Sequence, residues 1–188
     1  MRFIPASFTL SEHVVTLDEV SSYYDNSKEA IEQYYNPSIV NPSFVGLSPR
    51  EVRAKRDKLL KELSIECGMM LMSAVEAAFR SDFVLRCRKS KKEQIDRDFK
   101  IVLERVKELY QVRIKEDLID RWAEEYPADR HNFSLLKNRF DYRNWVAHGR
   151  YWNKFQNGGT NSMAFTSLLM EVQTAMAVVN TRLQKIGQ

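Results

Sequence analysis

Cysteine, histidine, glycine and proline are all scarce in this chain of 188 residues, at two, three, six and five copies. Each scarcity excludes a class of protein. Cys67 and Cys87 fall on what reads as one long helix, and twenty helical residues separate them by about 30 Å, far beyond disulfide reach. Two cysteines and three histidines without partner spacing give no zinc pattern. Unpaired thiols then imply a reducing, cytoplasmic compartment. No basic n-region followed by a sustained apolar run opens the chain, so no signal peptide is expected. The most apolar stretch, Met163 to Val179, is interrupted by Glu171, so a soluble protein with no membrane partner is expected. No P-loop, glycine-rich dinucleotide turn or Ser-His-Asp set is present. Strand-like alternation and internal repeats are absent too.

What remains is charge and helical periodicity. Charged residues make up 29% of the chain and leave a formal net charge of +4, a mild basic excess compatible with an anionic partner. The length suits one domain with an appendage and is sufficient for a substantial core. Residues 1–47, with Tyr23-Tyr24, Tyr34-Tyr35, Pro37 and Pro42, read as an N-terminal arm that packs on the domain, a partner or a second copy. Within it Ser27 to Tyr35 reads as a short helix and the rest as extended or irregular.

Residues 48–188 read as the helical domain. Ser48-Pro49-Arg50-Glu51 places an N-cap serine, a proline at the first helical position and a glutamate at the capping-box site. A stripe from Val52 through Leu63, Cys67, Leu71 and Val75 to Ala78 at i, i+3, i+4 spacing then extends past Phe79, predicting one unusually long helix that ends in Arg86–Lys92. A second helix carries Ile95, Phe99, Val102, Val106, Leu109 and Tyr110, and a further stretch carries Ile114, Leu118 and Trp122 before Pro127. Leu136, Phe140 and Ala147 stripe the next helix, which Gly149 caps. After a loop with Gly158-Gly159, Phe165 to Ile186 supply the last. The expected fold is all-α, an antiparallel bundle of four to five helices with an N-terminal arm.

The chemistry concentrates at Arg143-Asn144-Trp145-Val146-Ala147-His148-Gly149-Arg150. Arg143 falls on the apolar stripe, where a guanidinium requires an anionic partner, whether a structural carboxylate, a phosphate or a substrate. His148 sits at the helix C-terminus, where the macrodipole favours imidazolium, and an imidazole exchanges protons near neutral pH. Five helical steps rotate by roughly 140°, so a regular helix does not point the two side chains in one direction.

This Arg-Asn-x-x-x-His spelling, an instance of R-x4-H, resembles the signature of the HEPN superfamily of small all-α proteins, with residues 48 to 188 as the span of the likeness. The resemblance implies a helical bundle in which Arg143 and His148 mark a member that cuts RNA with no metal or other cofactor. It implies a homodimer whose motif helices meet near a two-fold axis, which brings both arginines and both histidines to one cleft. It also implies a toxin or antiviral defence role, with an antitoxin or regulatory protein as a further partner. Asn144 matches the polar residue that commonly follows the arginine. Some relatives carry a tyrosine two residues after the histidine that a partner enzyme modifies; Arg150 stands there in this chain.

Further residues have a structural and a functional reading. Glu76 interrupts the apolar run Met69 to Phe79, and can orient Arg143 or pair with Arg80 one turn along. Tyr151 and Trp152 can stack on bases or pack the loop after the helix. The five basic residues of Arg86–Lys92, with Arg88 and Lys89 among them, can follow an RNA backbone or complement a helix C-terminus. Beside a metal-independent endoribonuclease stand two alternatives: a catalytically silent module that binds a nucleotide or protein, and a purely structural helical adaptor.

Overall fold

The helix expected at Ser48 begins there. The Ser48 amide and hydroxyl both donate to Glu51 Oε2 at 2.7 Å, and the Glu51 amide donates back to Ser48 Oγ at 3.3 Å. The two residues thus satisfy each other's otherwise unpaired groups at the helix start. A computed structural model of the chain describes residues 15–39, 41–88, 93–149 and 164–186. Six α-helices lie within them: α1 (Leu17–Tyr34), α2 (Pro49–Arg88), α3 (Gln94–Arg105), α4 (Asp120–Glu125), α5 (Arg130–Ala147) and α6 (Phe165–Ile186). Among the described residues there is no strand, and the fold is an all-α bundle.

α2 is the element around which the others assemble. At 1.5 Å per residue its 40 residues span about 60 Å. Leu71, Val75, Phe79 and Phe83 are fully buried along it, and they share one core with Ile95 and Phe99 of α3, Trp122 of α4, Phe133 and Phe140 of α5, and Val172 and Val179 of α6. Each such side chain stabilises the fold by about 1.5–3 kcal/mol relative to an exposed one. α6 crosses α2 closely at Gly68, where a Cβ would stand 3.3 Å from Leu168 Cδ2.

Three boundaries differ from the sequence reading. First, α1 starts at Leu17, ten residues before Ser27. Thr16 caps it, with its amide donating to Glu19 Oε2 at 2.7 Å and the Glu19 amide donating to Thr16 Oγ1 at 3.2 Å. Val20 is fully buried and Tyr24 stacks on Phe165 with ring centroids 4.2 Å apart, so α1 packs against α2 and α6. Second, α3 stops at Arg105, short of Tyr110. Val106 turns extended (ψ 149°), and the Lys107 and Glu108 amides donate to the Gln111 side-chain oxygen at 2.8 and 3.3 Å. A 3-10 turn (Leu109–Gln111) and a π-helical turn (Ile114–Ile119) then lead into α4, leaving Tyr110 exposed. Third, the last turn of α5 emerges from the core. Trp145 is buried there while Ala147, read as a core position, is exposed.

The junction of α2, α3 and α4 is tied by a buried guanidinium. Arg86 is fully buried; its Nε donates to Asp82 Oδ1 at 2.8 Å, and its Nη1 donates to Asp96 Oδ1 at 2.8 Å and Glu93 Oε2 at 2.9 Å. The guanidinium also lies over the Trp122 ring, 4.9 Å from its centroid, and Trp122 Nε1 donates to Asp82 Oδ2 at 3.0 Å. Burial pushes the Asp82 carboxyl up to about 6, against the opposing pull of Arg86 and the Trp122 hydrogen bond. Arg86 keeps its proton, because the acidic groups around it outweigh its desolvation. The reading of Arg86 as part of a solvent-facing basic run is corrected by this network.

Candidate functional site

The motif helix α5 is docked by two arginines one turn apart. Arg139 is buried and grips Glu171 of α6 with both arms of its fork, Nε to Oε2 at 2.9 Å and Nη2 to Oε1 at 3.1 Å. Bidentate pairing of this kind fixes orientation as well as charge. Glu171, which interrupts the apolar α6 stretch in sequence, therefore has a structural reason to be there.

Arg143 is the second of the pair. Because α5 is leaving the core at this point, its side chain is 30% exposed rather than enclosed. Its Nη2 donates to Glu76 Oε2 of α2 at 3.3 Å and its Nη1 to Asn144 Oδ1 at 3.2 Å. Both contacts are longer than the 2.7–2.9 Å typical of a charge-assisted bond. The two structural partners considered for Glu76 both contact it. Arg80 holds the other carboxylate oxygen, Oε1, through Nη2 at 2.7 Å and Nε at 2.9 Å. Arg80 Nη1 donates to the backbone carbonyls of Leu109 and Val112 at 3.0 and 3.2 Å, which ties this cluster to the connection between α3 and α4.

His148 caps α5. Its backbone (φ −89°, ψ 19°) departs from helical values while its amide still donates to the Asn144 carbonyl at 3.0 Å. Gly149 follows at φ +78°, the left-handed conformation in which a Cβ is strained, and its amide donates to the Val146 carbonyl at 3.0 Å. The expected glycine cap is present. The His148 side chain is exposed at the end of the helix.

Thus Arg143, Asn144 and Glu76 form one hydrogen-bonded group, and His148 stands on the turn that ends the same helix. Arg88 is exposed at the end of α2. Lys89, Arg150, Tyr151 and Trp152 lie outside the described residues. Arg80 was legible in the sequence only as a competitor for Glu76; its two carbonyl bonds to the α3–α4 connection left no signal there. A cavity of about 450 Å³ between α4 and α5, lined by Asp120, Arg130, Phe133, Ser134 and Lys137 among others, includes none of the motif residues. No helix among the described residues is long and apolar enough to cross a membrane.

Comparison with family models, with curated proteins and with solved structures returns no match in any of the three.

Proposed function

We propose that this chain is a metal-independent endoribonuclease of the HEPN type, acting on RNA as a homodimer in a toxin or antiviral defence setting. The observation that carries the reading is the partly exposed Arg143 fork, held by one carboxylate and one amide on long bonds, five residues before an exposed His148. A purely structural arginine on this helix looks like Arg139, buried and held bidentately.

RNA supplies its own nucleophile in the 2′-hydroxyl. In the proposed reaction a base takes the 2′-hydroxyl proton as the 2′-oxygen bonds to phosphorus. The bond from phosphorus to the 5′-oxygen breaks, and an acid protonates that oxygen as it leaves. The products are a 2′,3′-cyclic phosphate and a 5′-hydroxyl end. Imidazole suits both proton transfers, and a planar guanidinium suits the charge on the phosphate oxygens at the transition state. One His148 per chain fills one of the two roles, so acid and base together require the two copies of a dimer. Asn144 and Glu76 orient Arg143, and the basic and aromatic side chains of Arg88, Lys89, Arg150, Tyr151 and Trp152 bind the strand.

The test is incubation of purified protein with mixed RNA in EDTA. Cleavage should proceed, leave 2′,3′-cyclic phosphate ends or their hydrolysis product, and vanish in Arg143→Ala and in His148→Ala, with helical content by circular dichroism largely unchanged. Efficient cutting of all-DNA strands, or strict dependence on added magnesium, contradicts the proposal.

A further inference from the structure

The two arginines at the site do not share Glu76 evenly. Both bonds from Arg80 to Glu76 are short, and both fall on Oε1. Arg143 reaches only Oε2, at 3.3 Å. Arg80 cannot readily follow Glu76 toward Arg143, because its remaining nitrogen is fixed on the Leu109 and Val112 carbonyls. Two guanidinium groups and one carboxylate leave the cluster with one positive charge in excess. That charge is placed by geometry on Arg143, whose other described partner is the neutral Asn144 amide.

We infer that Arg80 is a positioning residue for anion binding: by holding Glu76 through one oxygen it keeps that carboxylate from closing on Arg143, whose fork then stays open to a phosphate. Arg80 acts through Glu76 and makes no contact with the phosphate itself. Remove Arg80, and Glu76 is free to turn both oxygens onto Arg143, forming the bidentate pair that Arg139 and Glu171 already show. A carboxylate held that way competes directly with phosphate for the same donors. The inference rests on the reading of Arg143 as the phosphate-contacting group, and it adds the reason why a carboxylate beside that arginine does not cancel it.

The experiment follows the Arg143 Nε–Hε cross-peak in a nitrogen-correlated NMR spectrum while inorganic phosphate is titrated at constant ionic strength. The peak is assigned by its loss in Arg143→Lys. Wild type should show a saturable shift. Arg80→Gln should weaken the response about ten-fold, within the usual coupling range of neighbours in one ion network. Glu76→Gln should strengthen it. In the Glu76→Gln background the Arg80→Gln change should have no further effect, since there is no longer a carboxylate to release.

An equal loss on removing Arg80 in both backgrounds overturns the inference, because it means Arg80 binds phosphate directly or only supports the fold. A wild-type peak indifferent to phosphate overturns it as well. If Arg80→Gln does not fold, Glu76→Gln alone decides: an affinity that fails to rise is incompatible with a carboxylate competing for Arg143. RNA cleavage is scored separately on the same samples. The predicted phosphate pattern without any RNA cleavage refutes the nuclease proposal and leaves the role of Arg80 standing. Cleavage by wild type with no Arg80 effect on phosphate does the reverse.

Discussion

Replacing Arg86 with methionine tests how far the buried acids at the α2–α3–α4 junction depend on their cation. The methionine keeps an unbranched apolar stem of similar reach and removes the charge. Asp82, itself fully buried, then retains only the Trp122 Nε1 hydrogen bond, and Asp96 loses the 2.8 Å partner on its Oδ1. Leaving a buried carboxylate without its cation typically costs about 3–5 kcal/mol. In a chain of this size each kcal/mol lowers the melting temperature by about 2–4 °C, so a fall of roughly 6–20 °C is expected. The pH dependence makes the test specific. Burial raises Asp82 to about 6 in the folded protein, above its ordinary value of 3.8, so its contribution to stability is full at low pH and lost as pH rises through about 6. Glu125 is also raised by burial, with Arg86 among the groups opposing the rise. Without Arg86 both carboxyls move further up, and the loss continues to higher pH, with a slope of at most about 1.4 kcal/mol per pH unit for each group. The penalty measured by urea unfolding should therefore be larger at pH 8 than at pH 5. A penalty below about 1 kcal/mol, or one equal at the two pH values, refutes the reasoning, because it means the junction tolerates unpaired acids.

If acid and base are the two copies of His148, mixing wild type with excess His148→Ala under verified subunit exchange should lower RNA cleavage as the square of the wild-type fraction; strict proportionality contradicts a shared site. Expression of wild type without a neutralising partner protein should slow bacterial growth and His148→Ala should relieve it, whereas equal toxicity points away from catalysis. Gly68→Leu should cost about 1–3 kcal/mol by overpacking against Leu168, read as a lowered melting temperature; no change means that α6 does not approach α2 as described. Cys67 and Cys87 should react with a thiol reagent at pH 8 only as fast as the protein unfolds, because burial pushes their thiols up to about 11 and about 12; rapid labelling of the folded protein excludes this.

Helices were legible wherever local chemistry marked their ends. Ser48 with Glu51, and Gly149, announced the boundaries of α2 and α5 because capping is a contact between residues at most a few positions apart. Thr16 and Glu19 carry the same capping pattern at the start of α1, but the polar, tyrosine-rich composition around them hid its apolar face, which contributes only Val20 and Tyr24 as buried residues. The break after Arg105 has no proline or glycine to mark it; it is held by the Gln111 side chain. At the site, the Glu76–Arg80 pair could be read from its i, i+4 spacing. The Glu76–Arg143 bond joins residues 67 positions apart, and only the packing of α5 on α2 brings them together. Arg86 misled for a related reason: Glu93 and Asp96 reach it from beyond the end of α2, while its nearest neighbours in sequence include Arg88 and Lys89.

α2 changes character along its length. No residue before Leu63 is buried, while from Leu63 to Cys87 the core closes over several of its faces. Backbone amides in its opening turns are therefore expected to exchange by local fraying, and those around Phe79 only when the whole molecule opens. Glu76 and Arg80 ride on this buried stretch, and Arg143 and His148 ride on the end of α5, where Trp145 alone of residues 141–149 is buried. The site thus joins a well-buried stretch of α2 to the less buried end of α5. Amides in the final turn of α5 are expected to exchange faster than those around Phe79, and an opening there would separate Arg143 from Glu76 while the carboxylate keeps its Arg80 anchor.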